Sequence, residues 1–375
     1  MLIKFKCIII ATAIACISCS PKDIANTEIP LLIITDFGRD VDDAQAFAYL
    51  AKTINSYKNA NKTNDNKYGK LKIAGVICTG YIPQIRAKSL ELFLNLYGIA
   101  LPIAITEPEK TEQEVANYYA LHSLNYKPYE LTLLKKLGSY PPNTKLWNTM
   151  QGVNYHNKYI SPTHLIDSLL NIYPATLRIV LLAQATQLAN YIDKKNSLPN
   201  FHSLYIQGQC DTLNINSTTR AIKPNFAAYN LREDTIAAKT IFKLQNTVPF
   251  IFVSKYAAYP LAFTKEETEI IGKAGYAGDY LKNAACMGLE SFLERDSATF
   301  YKIFKLSPQI PAHIRNSSPA IDSLNVLNNP YDLLTVIAID KPRLFAADTV
   351  YVGNIPHILI DRNATHTHKQ AFWFW

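Results

Sequence analysis

Beyond the first nineteen residues the chain holds only three cysteines, Cys78, Cys210 and Cys286. So few, so far apart, they form neither a disulfide framework nor a zinc pattern, and they read as small buried residues. There is no GxGxxG and no P-loop sequence. The usual glycine-rich cradle for nucleotide phosphates is therefore missing. The net charge of +8 comes without a long block of lysine and arginine, so nucleic acid is not an expected partner. No internal repeat occurs. The DFG triplet at residues 36–38 has neither a kinase catalytic loop nor a Gly-rich loop to go with it, which removes a kinase reading. With 48% hydrophobic and 18% charged residues, the chain resembles neither a disordered nor a fibrous protein and can bury a large core.

What is present begins with MLIKFKCIIIATAIACISCS. Lys4 and Lys6 precede an apolar stretch, Cys7 to Ile17, that is too short to span a bilayer and fits a secretory signal. Its end, Cys16-Ile17-Ser18-Cys19, resembles a bacterial lipobox with Cys19 as the lipidated residue. The alternative is an ordinary signal peptide cut near Ser20. The expectation is a signal over 1–19, a polar tether over 20–29 and one domain over 30–375. The protein would then be exported and held at a membrane, periplasmic or cell-surface, by a lipid anchor.

From residue 30 onward, apolar runs alternate with helical patterns. Buried strands are expected at 30–35, 70–79, 102–106, 177–183, 203–208 and 249–254, with helices between most of them. The helix after the first strand is expected to bury one face carrying Ala44, Phe47, Leu50 and Ala51. Residues 54–70, rich in Asn and Lys, read as a surface insertion, and 107–162 as a region of helical stretches without a clear strand. Thr264-Lys265-Glu266-Glu267 has capping-box spacing. TVYVG and HILID near the end read as a hairpin. The whole predicts an α/β fold: a Rossmann-like, mostly parallel sheet with helices on both faces, a helical insertion and a C-terminal β-hairpin. Ligands of such sheets bind beyond the C-terminal ends of the strands.

At that edge of the first strand stands IITDFGRDVDDA, which places Asp36, Asp40, Asp42 and Asp43 on a tight loop opened by Gly38. Carboxylates this close raise one another's pKa values, so they need compensation. Hard oxygen donors in this number suit Ca²⁺, which accepts six to eight, better than Mg²⁺. Helix capping accounts for one or two of the four, not for Asp36.

The stretch Thr35 to Ala44 resembles the Asp-x-Asp-Pro-Gly-x-Asp-Asp-Ala signature of the nucleoside hydrolases, with two residues inserted before the Asp-Asp pair and Ile34 in place of the leading Asp. LRIVLLAQATQLANYI is similar to the family's strand and Gly-Pro-Leu-Thr-Asn turn. FAAYNLREDTIAAKTIF resembles its Ala-Glu-Phe-Asn segment, and NNPYDLLTVIAIDKPRLF its late His-Asp-Pro helix start. The resemblance runs in order from residue 30 to about 345. It implies calcium-dependent hydrolysis of the N-glycosidic bond of ribonucleosides or related ribosides. It further implies Asp36 as metal ligand and base, with Asp43, Asp332 and the Ala185 carbonyl as further ligands. Asp42 and Asn230 would bind the sugar. Asp40, left over by the insertion, is a further metal candidate.

Four departures accompany the likeness. Ala228 replaces the family's ribose-binding Glu, Tyr81 its Asn after the second strand, and Tyr331 the His before the last Asp. Tyr81 and Tyr331 remain candidates for substrate contact. No counterpart of the family's His-Gly segment is evident; His156 and His164 nearby read as surface or packing residues. Two other readings stand beside hydrolysis. One is a non-catalytic lipoprotein that uses the metal to grip a sugar. The other is a metal phosphohydrolase, for which Arg39 is thin support. The aromatic tail FWFW (372–375) reads as cover for a core edge or for an interface with a partner, and a homo-oligomer is a separate expectation.

Overall fold

The computed structural model describes residues 27–38, 40–59, 69–80, 82–106, 129–150, 159–195, 198–214, 220–295 and 326–361. Cys19, Arg39, Tyr81, His156 and the tail 372–375 lie outside the described residues.

The first half of the chain contributes strands β1 (Glu28–Thr35), β2 (Lys70–Cys78), β3 (Ile103–Ile105), β4 (Arg178–Leu181) and β5 (Ser203–Gln207). Its helices are α1 (Val41–Asn59), α2 (Pro83–Asn95), α3 (Tyr129–Ser139), α4 (Thr144–Met150), α5 (Pro162–Ile172) and α6 (Thr186–Lys195). A short hairpin follows, β6 (Cys210–Asn214) and β7 (Arg220–Pro224). Then come α7 (Tyr229–Glu233), α8 (Thr235–Phe242), β8 (Phe250–Val253), α9 (Lys255–Ala258), β9 (Phe263–Thr264), α10 (Lys265–Gly272) and α11 (Tyr276–Arg295). The described chain ends with β10 (Val326–Asn328), α12 (Tyr331–Asp340), β11 (Asp348–Val352) and β12 (Ile355–Ile360).

Eight strands form one sheet in the order β11-β12-β8-β5-β4-β1-β2-β3. All its neighbours pair in parallel except β11 and β12, the expected hairpin; β12 runs parallel to β8 and so joins the hairpin to the sheet. The central strand β1 shows why a continuous apolar run signals burial on both faces. Leu31 and Ile33 enter one core cluster and Leu32 and Ile34 the other, because successive side chains point to opposite faces. The first cluster draws Phe47 of α1, Phe93 of α2, Tyr280 of α11 and Val336 of α12; the second draws Leu165 of α5, Leu188 of α6 and Ile241 of α8. Helices therefore cover both faces of the sheet.

Two local expectations need correction, and one element has no signal in the sequence. Residues 54–59 continue α1 and are not part of a surface insertion. Ile54 and Tyr57 pack against the core, and the Asn55 amide donates to the Tyr97 carbonyl at 2.9 Å, so tertiary contacts override the polar composition. The start of α1 is buried all round rather than on one face. Ala46, Ala48 and Tyr49 are as enclosed as Phe47 and Leu50, because α11 and α12 pack over it. The hairpin β6–β7 has no apolar run to announce it, and most of its residues are exposed or half-buried.

Candidate functional site

The chain leaves β1 for the β2–β3 side of the sheet and later returns to build β4, β5 and β8 on the other side. The crevice between β1 and β4 is thus the point where strand order reverses, the usual place for a ligand in such sheets. There a cleft of about 330 Å³ opens at the C-terminal strand ends. Asp36 lines it after β1, Leu182 after β4, Gln207 and Gly208 at the end of β5, and Lys255 after β8. Asp40, Asp42, Asp43, Asn230, Tyr331 and Asp332 line it as well.

Two helices begin at this floor. Asp42 and Asp43 occupy the first turn of α1, and Asp332 the first turn of α12. Free N–H groups and the positive end of the macrodipole favour negative charge at such a turn. Gly38, at φ +97°, makes the reversal between β1 and α1, a conformation an L side chain resists. The Thr35 hydroxyl donates to Asp43, and the Phe37 N–H donates to the Thr35 oxygen at 3.1 Å, which fixes the loop to the strand end.

Asp42, Asp43 and Asp332 each offer an oxygen, and these three atoms lie within 4.8 Å of one another. Burial is the first cause that raises the pKa of all three carboxyls well above the ordinary carboxylate range; repulsion from the neighbouring aspartates is the second. Asp43 and Asp332 are only 1% and 3% exposed. A hard divalent cation suits such a set: all donors are oxygens, and its charge would offset the repulsion. Asp36 and Asp40 stand outside this triad. The Asp36 carboxylate lies 3.7 Å from the guanidinium of Arg86, which is itself buried.

Arg86 carried no signal in the sequence. Its Nη1 donates to the Thr79 carbonyl at 2.7 Å, and its Nη2 to Glu130 at 3.4 Å. Gly80, at φ +97°, leaves room for it: a Cβ there would sit 1.9 Å from Nη1. Asn230, at the start of α7, uses both amide hydrogens inside the protein. It donates to the Leu182 carbonyl and to Gln207, each at 2.9 Å, which turns its own oxygen into the atom left for a ligand. Ala185 is buried and is not among the residues that line the cleft; its carbonyl accepts the N–H of Ala189 in the first turn of α6. Ala228 lines the cleft beside Asn230. His164 lies in the first turn of α5 and is not among the cleft-lining residues.

No family model matches the chain, and no curated protein matches it by sequence. Solved structures do. The type III effector protein XopQ, solved in complex with adenosine diphosphate ribose, superposes with a TM-score of 0.64 at 19% identity, covering 90% of each chain. The plant nucleoside hydrolase PpNRh1 superposes at 0.53 with 15% identity, over 92% of this chain and 96% of that one. The inosine-uridine preferring nucleoside hydrolase from Bacillus anthracis gives 0.53 at 13% identity, with the same coverage. The chain has the nucleoside hydrolase fold. At these identities the likeness speaks to the fold alone. On this fold the acidic triad sits at the strand-order reversal, with Ala228 and Tyr331 lining the same cleft.

Proposed function

We propose that the protein hydrolyses the N-glycosidic bond of a ribonucleoside or related riboside with calcium as its cofactor. The observation that carries this reading is the buried triad Asp42, Asp43 and Asp332, set in one cleft with Asp36 and Asn230 on the nucleoside hydrolase fold. Those three carboxylates, with Asp36 and Asp40 at the margin, would hold the ion. Bound there, calcium supplies a doubly positive centre that anchors sugar hydroxyls and acidifies an adjacent water.

The chain's own residues do the rest. Asp36 takes the proton of a water directed at the anomeric carbon, as the bond from that carbon to the base nitrogen breaks and the base leaves with the electron pair. Positive charge grows on the sugar in such a transition state, and the acidic floor stabilises it. The Asn230 oxygen accepts a sugar hydroxyl. Burial is the first cause, and neighbouring Tyr259 and Asp42 the next, of a Tyr331 hydroxyl pKa far above its ordinary value. Tyr331 therefore keeps its proton through neutral pH and serves the departing base as a hydrogen-bond donor, not as an acid.

Ribose release from a nucleoside panel, removed by chelator and restored by calcium, tests the reading. Asp36→Asn should lower kcat about 10²–10⁴-fold, the usual worth of a positioned base; an unchanged kcat would overturn its role. A second reading is a non-catalytic sugar-binding protein, favoured by Ala228 where the resemblance predicts a sugar-binding Glu and by the ADP-ribose held by XopQ. Binding without turnover would select it. The placement of the protein outside the cytoplasm through lipidated Cys19 belongs to either reading and is tested by mass spectrometry of the N-terminal peptide from membranes.

A further inference from the structure

The acidic floor of the cleft has two cations on its lining, Arg232 of α7 and Lys255 of α9. Arg232 is solvent-exposed and Lys255 half-buried, so both stand toward the mouth. Among the described residues, neither lies in an ion pair with a carboxylate. Each is steadied instead by a ring: the Arg232 guanidinium lies 5.4 Å from the Tyr229 ring centre, and the Lys255 ammonium 5.4 Å from that of Tyr256.

A bare nucleoside carries no negative charge and gives two cations at the mouth nothing to bind. A riboside carrying a phosphate would meet both halves of the cleft, with its sugar hydroxyls toward the acids and its phosphate toward the cations. Arginine offers a planar fork matched to phosphate, and lysine a point charge beside it. Tyr229 and Tyr259 line the same cleft and are 40% and 43% exposed, which puts aromatic surface at the mouth.

We infer that the cleft is built for a phosphorylated riboside, with Arg232 and Lys255 as its phosphate-binding pair. This rests on the reading of the floor as a sugar site and deepens it. The test is calorimetric titration of the full mature protein, loaded with calcium, with ribose 5-phosphate, ADP-ribose, ribose and inosine, in wild type and in the double variant R232A/K255A. Both side chains stand at the mouth, outside the core, so the variant should fold; circular dichroism checks this, and R232K provides the conservative comparison. The phosphorylated ligands should bind wild type at least about tenfold more tightly than their unphosphorylated counterparts, as charge-assisted hydrogen bonds imply, and the preference should fall to about one in the double variant. Equal affinity for ribose and ribose 5-phosphate in wild type would overturn the inference, as would a preference that survives the double variant. Nucleoside turnover is followed in parallel. Hydrolysis of inosine without phosphate preference refutes the inference and leaves the hydrolase reading standing. Phosphate preference without cleavage of any riboside supports the inference and refutes the hydrolase reading.

Discussion

At the scale of single residues, the site is a problem in charge. Burial first, and then repulsion among themselves and their aspartate neighbours, makes Asp42, Asp43 and Asp332 release their protons at a higher pH in the folded chain than in the unfolded one. A raised folded pKa gives stability that is complete below the unfolded value and disappears as the pH climbs through the folded one. Without calcium, these three groups therefore work against the fold as the pH rises. Calcium needs them ionised, and protons compete with it. The rise in Tm produced by calcium should therefore grow as the pH climbs from about 4 toward neutrality. Scanning calorimetry in calcium and in chelator across that range measures it, and a rise independent of pH would contradict the assignment. Arg86 poses a second residue-level question. It is buried between Glu130 and Asp36, both carboxylates also buried. Arg86→Met should destabilise the protein by about 3–5 kcal/mol, the usual cost of leaving buried charge uncompensated. Denaturant titration checks this, and Glu130→Gln combined with Arg86→Met should recover part of the loss.

At the scale of elements, capping and burial account for what could and could not be foreseen. The Thr264 hydroxyl accepts from the Glu267 N–H at 3.2 Å, and the Glu267 carboxylate accepts from the Thr264 N–H at 2.7 Å, the reciprocal bonds that the sequence spacing promised for α10. Thr264→Ala should cost about 0.5–2 kcal/mol, read as a lowered denaturation midpoint with an unchanged slope. The buried strands β1, β2, β4, β5 and β8 were legible because parallel strands covered on both faces are written as unbroken apolar runs. The first turn of α1 was legible because the acids crowd a strand end. The hairpin β6–β7 was not, since half-exposed polar strands such as CDTLN leave no periodic mark. The last turns of α1 were obscured by asparagine and lysine, residues that signal a loop until Ile54 and Tyr57 meet the core. Arg86 was illegible for another reason. Its role depends on a glycine, a carbonyl and two acids that converge only in three dimensions.

At the scale of the whole molecule, the two halves of the chain share one site. The triad ties α1, near the start of the described chain, to α12, near its end, and the same helices share the Tyr49–Asp340 hydrogen bond. An ion bound there would stabilise the entire fold and not a single loop. At a free calcium concentration one hundred times its Kd, the gain is about 2.7 kcal/mol. Global unfolding by denaturant with and without the ion measures it. Asp332→Asn should remove most of that gain while leaving Asp42 and Asp43 in place, and a full calcium effect in this variant would contradict the shared site.

Synthesis runs from the N-terminus, so the ribosome releases the Asp36–Asp43 loop long before the segment bearing Asp332 exists. A nascent chain therefore presents a fraction of the donor set and grips a hard ion poorly. An ion held by all three carboxylates could reward only the finished product, so the step that seals the architecture would wait until the last helix has arrived.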